Sequence, residues 1–224
     1  ASDLQPADLR LGSMGQGVVA RQRNWTLRDH RTLCLLNIDN TYVPFNYLTY
    51  GSIPDILALD PYYIESLRGV YEKNPERISQ FFTPMYVMGT AEYARLAAEP
   101  RPTHVILNST SYRFPDQEPF RFPTPEEKRV EFYMALGTGT KGISYWWFTP
   151  IGECYGCGSR EPEAQALMRE LARLNAEART LLPELGVACA AAQPGSLRDP
   201  FASMRPFWVI ARTRFAGPDT AIVT

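Results

Sequence analysis

The sequence predicts an α/β protein built on a parallel sheet, and three observations carry that prediction. Short, nearly continuous apolar runs recur along the 224 residues: TLCLLNID at 32–39, ILALD at 56–60, THVILNS at 103–109 and GISYWWFTP at 142–150. Runs of this length, apolar at successive positions, suit strands buried on both faces. Helical segments stand between the runs, and parallel strands need such crossovers. Long polar and aromatic loops follow the strands, whereas helix-to-strand links such as GTGTKG at 137–142 are short. In a (β/α) barrel the carboxyl ends of the strands and the loops after them build the active site. The asymmetry of loop length is what a barrel with one functional face would produce.

Taken in order, GQGVVARQRNWTLRDHR at 15–31 is moderately helical, and 32–39 follows as a buried strand. Residues 40–55 form a long loop with the aromatics Tyr42, Phe45, Tyr47 and Tyr50, and 56–60 is a second buried strand. Between 66 and 99 the pattern is mixed: SLRGVYEK has helical character, FFTPMYVMG is ambiguous, and TAEYARLAAE reads as a helix capped by Thr90. The strand at 103–109 leads into a polar and aromatic loop, TSYRFPDQEPFRFP. The clearest helix start lies in TPEEKRVEFYMALGTG, where Thr124 is the N-cap, Pro125 takes the first helical position and Glu127 completes a capping box. Val130, Tyr133, Met134 and Gly137 share one face of that helix. After the strand at 142–150, an amphipathic helix spans 162–182, with Ala164, Leu167, Leu171, Leu174, Ala178 and Leu181 in one stripe. Pro183 and Gly186 are expected to end it. Residues 187–200 resemble a linker, and FWVIARTRFAGPDTAIVT reads as two strands about a Gly-Pro-Asp turn. Three regions follow: a leading segment at 1–30, a partial (β/α) barrel at 31–185, and a linker with the first strands of a β-domain at 186–224.

Composition narrows the function classes. The chain is 45% hydrophobic with a formal charge of −1, so nothing in its charge recruits nucleic acid or an anionic membrane. It holds no apolar run of about 18 residues, the length of a membrane-spanning helix. The opening ASDLQPADLRLGSMG lacks the basic and apolar regions of a signal peptide. With no initiator Met and a close inside a strand-like segment, PDTAIVT, the sequence reads as a fragment or a trimmed chain.

The four cysteines are too scattered for a disulfide framework. Cys34 sits in an apolar strand as an inert thiol, and Cys189 lies in the Ala-rich linker. Cys154 and Cys157 make one CxxC in ECYGCGSR, but zinc needs four ligands and no second pair completes the set. A local disulfide or a plain Gly-rich loop is expected there. The histidines are His30 and His104; His104 opens an apolar strand and is read as structural.

Two motif matches carry little chemistry. GTGTKG fits GxGxxG, but it follows a helix and precedes a strand, the reverse of a dinucleotide site, so helix capping and a tight turn explain it. A nucleotide-dependent α/β enzyme is disfavoured for the same reason. Asn24-Trp25-Thr26 and Asn108-Ser109-Thr110 match the glycosylation sequon, and neither implies modification.

The runs LLNIDNTYVPFNYLTYGSIPDILALDPYYI, RPTHVILNS, PTPEEKRVEFYMALGTGTKGISYWWFTP and ELARLNAEARTLLPEL together resemble the second half of a TIM-barrel glycoside hydrolase of the β-galactosidase-like group. A strand ending in Asp-Pro-Tyr, a helix–GxKGI–aromatic strand unit and a closing LxxLNxELxxLxP helix carry the likeness, over roughly residues 31–185. It implies that 32–39, 56–60, 103–109 and 142–148 are strands five to eight of a (β/α)8 barrel. It also implies that the helix at 162–182 closes the barrel and that the strands after 206 begin a β-sandwich. In the large retaining clan of these barrels, glutamates at strands four and seven are acid/base and nucleophile. Strand four would precede residue 1 or be missing, and strand seven here ends in HVILNSTSY, without a glutamate.

Glycoside hydrolysis usually needs two carboxyl groups about 5–5.5 Å apart for retention or about 6.5–9.5 Å for inversion. Asp39 and Asp60 end neighbouring strands about 4.8 Å apart, so they are the catalytic candidates. The alternative is that both simply order their loops, Asp60 before Pro61 and Asp39 through an Asx turn. Asn40, Asn108, Tyr62 and Tyr63 are candidate substrate contacts. Trp146 and Trp147 alternate faces on one strand, so one of them points into the barrel as a sugar platform. Glu153, Asp116 and Glu118 sit in loops as reserve carboxylates with solvated charge as their default.

The expected function is a carbohydrate-active hydrolase acting on oligo- or polysaccharide, without cofactor or metal. The alternative is a carbohydrate-binding or scaffold barrel that has lost its acid pair. Neither nucleic acid nor membrane is an expected partner. The missing half of the barrel, or a homo-oligomer, is. The residues themselves fix no cellular location; the resemblance favours an extracellular or periplasmic one.

Overall fold

A computed structural model describes residues 33–38, 45–62, 85–112, 121–150, 154–185, 213–217 and 220–223. The expected helix at 15–31, SLRGVYEK, His30 and Cys189 lie outside them.

Four strands, β1 (Leu35–Ile38), β2 (Ile56–Leu59), β3 (Thr103–Asn108) and β5 (Gly142–Trp146), form one sheet in the order β1-β2-β3-β5. Every pairing is parallel, with Leu36 opposite Leu57, Leu59 opposite Val105 and Leu107 opposite Tyr145. The chain is a mixed α/β protein with a four-stranded parallel sheet, consistent with part of an α/β barrel. The four apolar runs read from the sequence are its four strands.

Strand alternation divides the sheet into two faces. Ile38, Leu57, Leu59, Val105, Leu107, Ile143 and Tyr145 share an apolar cluster with residues of α1 (Phe45–Tyr50), α2 (Met85–Ala98), α3 (Pro125–Gly137) and α4 (Pro162–Leu185). Tyr47, Val87, Ala91, Ala94, Phe132, Ala135 and Leu174 are the helices' buried contributions. Small residues along α2 let it lie close to the sheet. The opposite face carries Leu35 and Asn37 of β1, then Ala58 and Asp60 along β2. It continues with His104, Ile106 and Asn108 of β3 and Gly142, Ser144 and Trp146 of β5. None of these belongs to the apolar cluster.

Several local expectations change. β1 is an edge strand among the described residues, with Leu35 and Asn37 exposed, so its apolar run is not a fully buried strand. The segment expected as one long loop contains α1, whose Tyr47 is buried in the core. Thr90 lies inside α2, which already begins at Met85, so it is no N-cap. β5 stops at Trp146 rather than running to 150. α4 continues through Pro183 to Leu185. Its stripe is buried at Ala164, Leu167, Leu171 and Leu174, while Leu181 is exposed.

α3 begins as expected. Thr124 Oγ1 accepts from Glu127 N–H at 3.2 Å, and Glu127 Oε2 accepts from Thr124 N–H at 2.8 Å. Such a cap contributes on the order of 1 kcal/mol. Arg121 grips the same glutamate through two nitrogens at 2.7 and 2.6 Å. Burial pushes the Glu127 carboxyl up, but these donors and cations outweigh it and hold the group below its ordinary range.

The buried face of α3 is not the one the apolar residues suggested. Val130 and Tyr133 are exposed, while Lys128, Glu131, Phe132, Ala135 and Leu136 are buried. Lys128 and Glu131 form an ion pair one helical turn apart. Removing either partner would strand a buried charge, at a cost of about 3–5 kcal/mol. Lys and Glu are mostly exposed residues, which is why apolar content alone chose the wrong face.

GTGTKG is a cap and turn, as its order implied. Thr138 caps α3, Gly139 takes a φ of 92°, and Lys141 N–H donates to Thr103 O at 2.9 Å as the chain enters β5. Two short antiparallel pairs complete the described structure. β4 (Thr110–Tyr112) pairs with β6 (Cys154–Gly156), and β7 (Thr213–Gly217) pairs with β8 (Thr220–Val223). The second pair flanks the expected Gly-Pro-Asp turn; the first falls in segments read as loops. No described helix is long and apolar enough to cross a membrane.

An ionic network joins α3 to α4. Arg129 donates to both Glu177 oxygens at 2.8 Å and to Glu170 at 2.7 Å, and Tyr133 Oη donates to Glu177 at 2.5 Å. The Arg129 and Tyr133 hydrogen bonds lower the Glu177 carboxyl from 4.5 to about 2. A depressed carboxylate contributes stability that is complete above its unfolded pKa and lost as pH falls through the folded one. Glu177→Gln is therefore expected to lower the melting temperature at neutral pH and to converge on the wild type near about pH 2. Melting curves recorded from about pH 7 downward test this; a gap that stays constant with pH would contradict it.

Candidate functional site

Parallel pairing sends every strand of the sheet the same way, so their carboxyl ends share one edge. Asp60 follows β2, Asn108 ends β3 and Trp146 ends β5. These three sequence-predicted residues are brought to one edge and to one face of the sheet. Asp39, Asn40 and Tyr63 lie outside the described residues, as do Glu153, Asp116 and Glu118.

Asp60 is 7% exposed. Its Oδ2 accepts from Asn37 Nδ2 at 3.3 Å, and Tyr62 N–H bonds back to the Asp60 carbonyl at 2.9 Å. The amide of Asn37 orients the carboxylate from the neighbouring strand. Asn37 was not among the expected site residues. The signal was there: it is a polar residue inside the apolar run LLNI. Tyr62 is buried at 8% exposure.

Asn108 is buried and already engaged. Its Oδ1 accepts from Thr110 N–H at 2.9 Å and from Thr110 Oγ1 at 2.6 Å. This Asx turn bends the chain from β3 into β4. With the carbonyl committed, the Nδ2 donors are what Asn108 offers a ligand. Its burial also closes the second sequon to modification.

The tryptophans do not alternate as expected. β5 ends at Trp146, and the Trp146–Trp147 peptide bond is cis. The two rings lie side by side, centroids 4.8 Å apart and planes at 57°. Trp146 is 42% exposed and Phe148 60%. Trp147 is half-buried, and its buried indole nitrogen has no hydrogen-bond partner.

Lower on the same face, His104 lies across β3 and β5. Its Nε2 and Ser144 Oγ are 2.9 Å apart, and its ring occupies the space that a side chain at Gly142 would need. Burial pushes the imidazole below its ordinary range, favouring the neutral form. The structural reading of His104 holds.

Cys34 and Cys157 are free thiols, so of the two readings of CxxC, a local disulfide or a plain Gly-rich loop, the disulfide does not form. Burial raises both thiols above their ordinary range, with Asp55 adding to the effect at Cys34. A hydrogen bond from Ser109 and the charge of Lys128 partly offset it at Cys157. Among the described residues no three His, Cys, Asp or Glu side chains gather as a metal site requires.

No family model matches the chain, and no curated protein matches it by sequence. Its structure is similar to the beta-galactosidase from the psychrophilic Marinomonas ef1, with a TM-score of 0.55. That likeness covers 77% of this chain and 28% of the other, at 16% identity. The chain therefore spans less than a third of the length of that enzyme, and what the two share is the fold.

Gly142→Ala would drive a Cβ into the His104 imidazole, because a ring nitrogen already fills that position. A loss of about 1–3 kcal/mol is expected, as for other overpacked cores. Adding His104→Ala should recover part of it in denaturant unfolding; strictly additive losses would contradict the contact.

Proposed function

We propose that the chain is part of a carbohydrate-active hydrolase that cleaves glycosidic bonds by carboxylate acid/base catalysis at the carboxyl edge of its sheet. The observation that carries this reading is the Asn37-oriented, buried carboxylate of Asp60 at the end of a parallel strand. The fold shared with a beta-galactosidase supports the choice of substrate class. Burial suits acid/base work, because a carboxyl removed from water can be tuned toward the operating pH. Asp39 is proposed as the second carboxylate, with Trp146, Trp147, Asn40, Asn108, Tyr62 and Tyr63 around the sugar.

A non-catalytic sugar-binding barrel is the second reading. The observation favouring it is Asn108-Ser109 at the end of β3, where the resemblance places a nucleophilic glutamate. Turnover separates the two. With an aryl β-galactoside as probe, Asp60→Asn is expected to lower kcat/KM by at least about a hundredfold. Unchanged activity would remove Asp60 from the mechanism, and wild-type sugar binding without hydrolysis would favour the second reading.

The open sheet supports a further part of the proposal. Among the described residues β1 and β5 are edge strands of an all-parallel sheet, a class found with both faces covered. Further β/α units, from a longer chain or a second copy, are proposed to continue both edges toward a closed (β/α)8 barrel, with β7 and β8 beginning a β-sandwich. Light scattering on the 224 residues should then report association. A monodisperse monomer that melts cooperatively would overturn the half-barrel arrangement.

A further inference from the structure

The bond between Asn37 and Asp60 bears on the charge of the aspartate as well as on its position. Asn37 stands opposite Ala58 in the β1–β2 register, and Asp60 comes two residues later on the same face. The contact from Asn37 Nδ2 to Asp60 Oδ2, 3.3 Å long, therefore runs diagonally past Ala58. Ala58 is fully buried and presents only a methyl group, which leaves that diagonal open.

An amide NH2 can only donate, so the carboxyl oxygen it meets must accept. A donor aimed at a carboxyl favours the ionised form, whereas burial disfavours it. Asp60 is 7% exposed, so its charge depends on what meets it. Of the side chains that the four strands put on this face, only Asp60 and His104 titrate. His104 is bonded to Ser144 and kept neutral by burial, so it brings no cation. The helices pack on the other face of the sheet. What the strands bring to the carboxylate is a neutral donor, Asn37.

We propose that Asn37 is a positioning residue that keeps Asp60 ionised, and that Asp60 is thereby the proton-accepting carboxylate of the pair. The catalytic half of this assignment rests on the hydrolase reading; the hold of Asn37 on Asp60 does not. Water reaches a carboxylate this enclosed more readily than the anomeric carbon of a pyranose does. Asp60 takes one proton from that water as the water oxygen bonds to the anomeric carbon. The glycosidic C–O bond breaks, and the second carboxyl gives its proton to the departing oxygen.

The test uses the 224-residue chain with aspartate labelled at the carboxyl carbon, and the Asp60 signal assigned by its loss in Asp60→Asn. Asn37→Leu removes the donor and fills its place with apolar volume. The pH at which the Asp60 signal titrates is expected to rise by about one unit, or about tenfold in proton affinity. Asn37→Ala admits water as a substitute donor and is expected to raise it less. Asn37 is exposed on an edge strand, so both variants are expected to fold. With an aryl β-galactoside, the acid limb of kcat/KM in Asn37→Leu should move up together with the signal, because the acceptor must be unprotonated. The product anomer should be inverted.

An unmoved signal in folded Asn37→Leu would overturn the hold on Asp60. So would a shift that vanishes when the titration is repeated with Asp39→Asn in both chains. A retained anomer, or an acid limb that stays put while the signal moves, would overturn the proton-acceptor role. A moved signal without hydrolysis by the wild type sustains the hold on Asp60 and sinks the hydrolase. Hydrolysis with the signal unmoved does the reverse.

Discussion

The rest of the structure depends on the parallel ladder running from β1 through β2 and β3 to β5. A parallel pair cannot be joined by a tight hairpin, so each crossing must carry the chain back along the sheet. α2 and α3 are described crossovers, and both lay apolar residues on the same face of the sheet. The ladder also places every carboxyl end on one edge. Asp60, Asn108 and Trp146 are distant in sequence, and strand direction alone is enough to make them neighbours on that edge.

The two faces of the sheet obey different rules. On the helix side, Leu57, Leu59, Val105 and Leu107 pack with the small residues of α2 and the buried side of α3. On the other side, polar groups answer one another: Asn37 with Asp60, His104 with Ser144. Buried polar groups are tolerated where a partner meets them.

Much of the fold was legible because parallel strands are short apolar runs and their helices announce their starts. Thr124-Pro125-Glu126-Glu127 named the first turn of α3, and the stripe from Ala164 to Leu174 named the buried side of α4. The misses have physical causes. Thr90 is a good capping residue, but the apolar residues before it extend α2 back to Met85. Lys128 and Glu131 are buried because they neutralise each other, a pairing that a count of apolar residues cannot detect. β4 and β6 are three residues each, too short for any periodicity to register. Asn37 stood out as a polar residue within LLNI, but its partner Asp60 lies one strand away, a pairing that no single run records.

By itself the sequence determined the four strands of the parallel sheet, the direction implied by their crossovers and the polar or aromatic residues at their ends. Those properties follow from local composition and from the period of side-chain direction. Tertiary structure alone decided which residues meet. It set Asn37 against Asp60, His104 against Ser144 and Gly158 against Phe148. Those contacts depend on register and on how closely two backbones can approach, quantities that exist only once separate strands and turns are brought side by side.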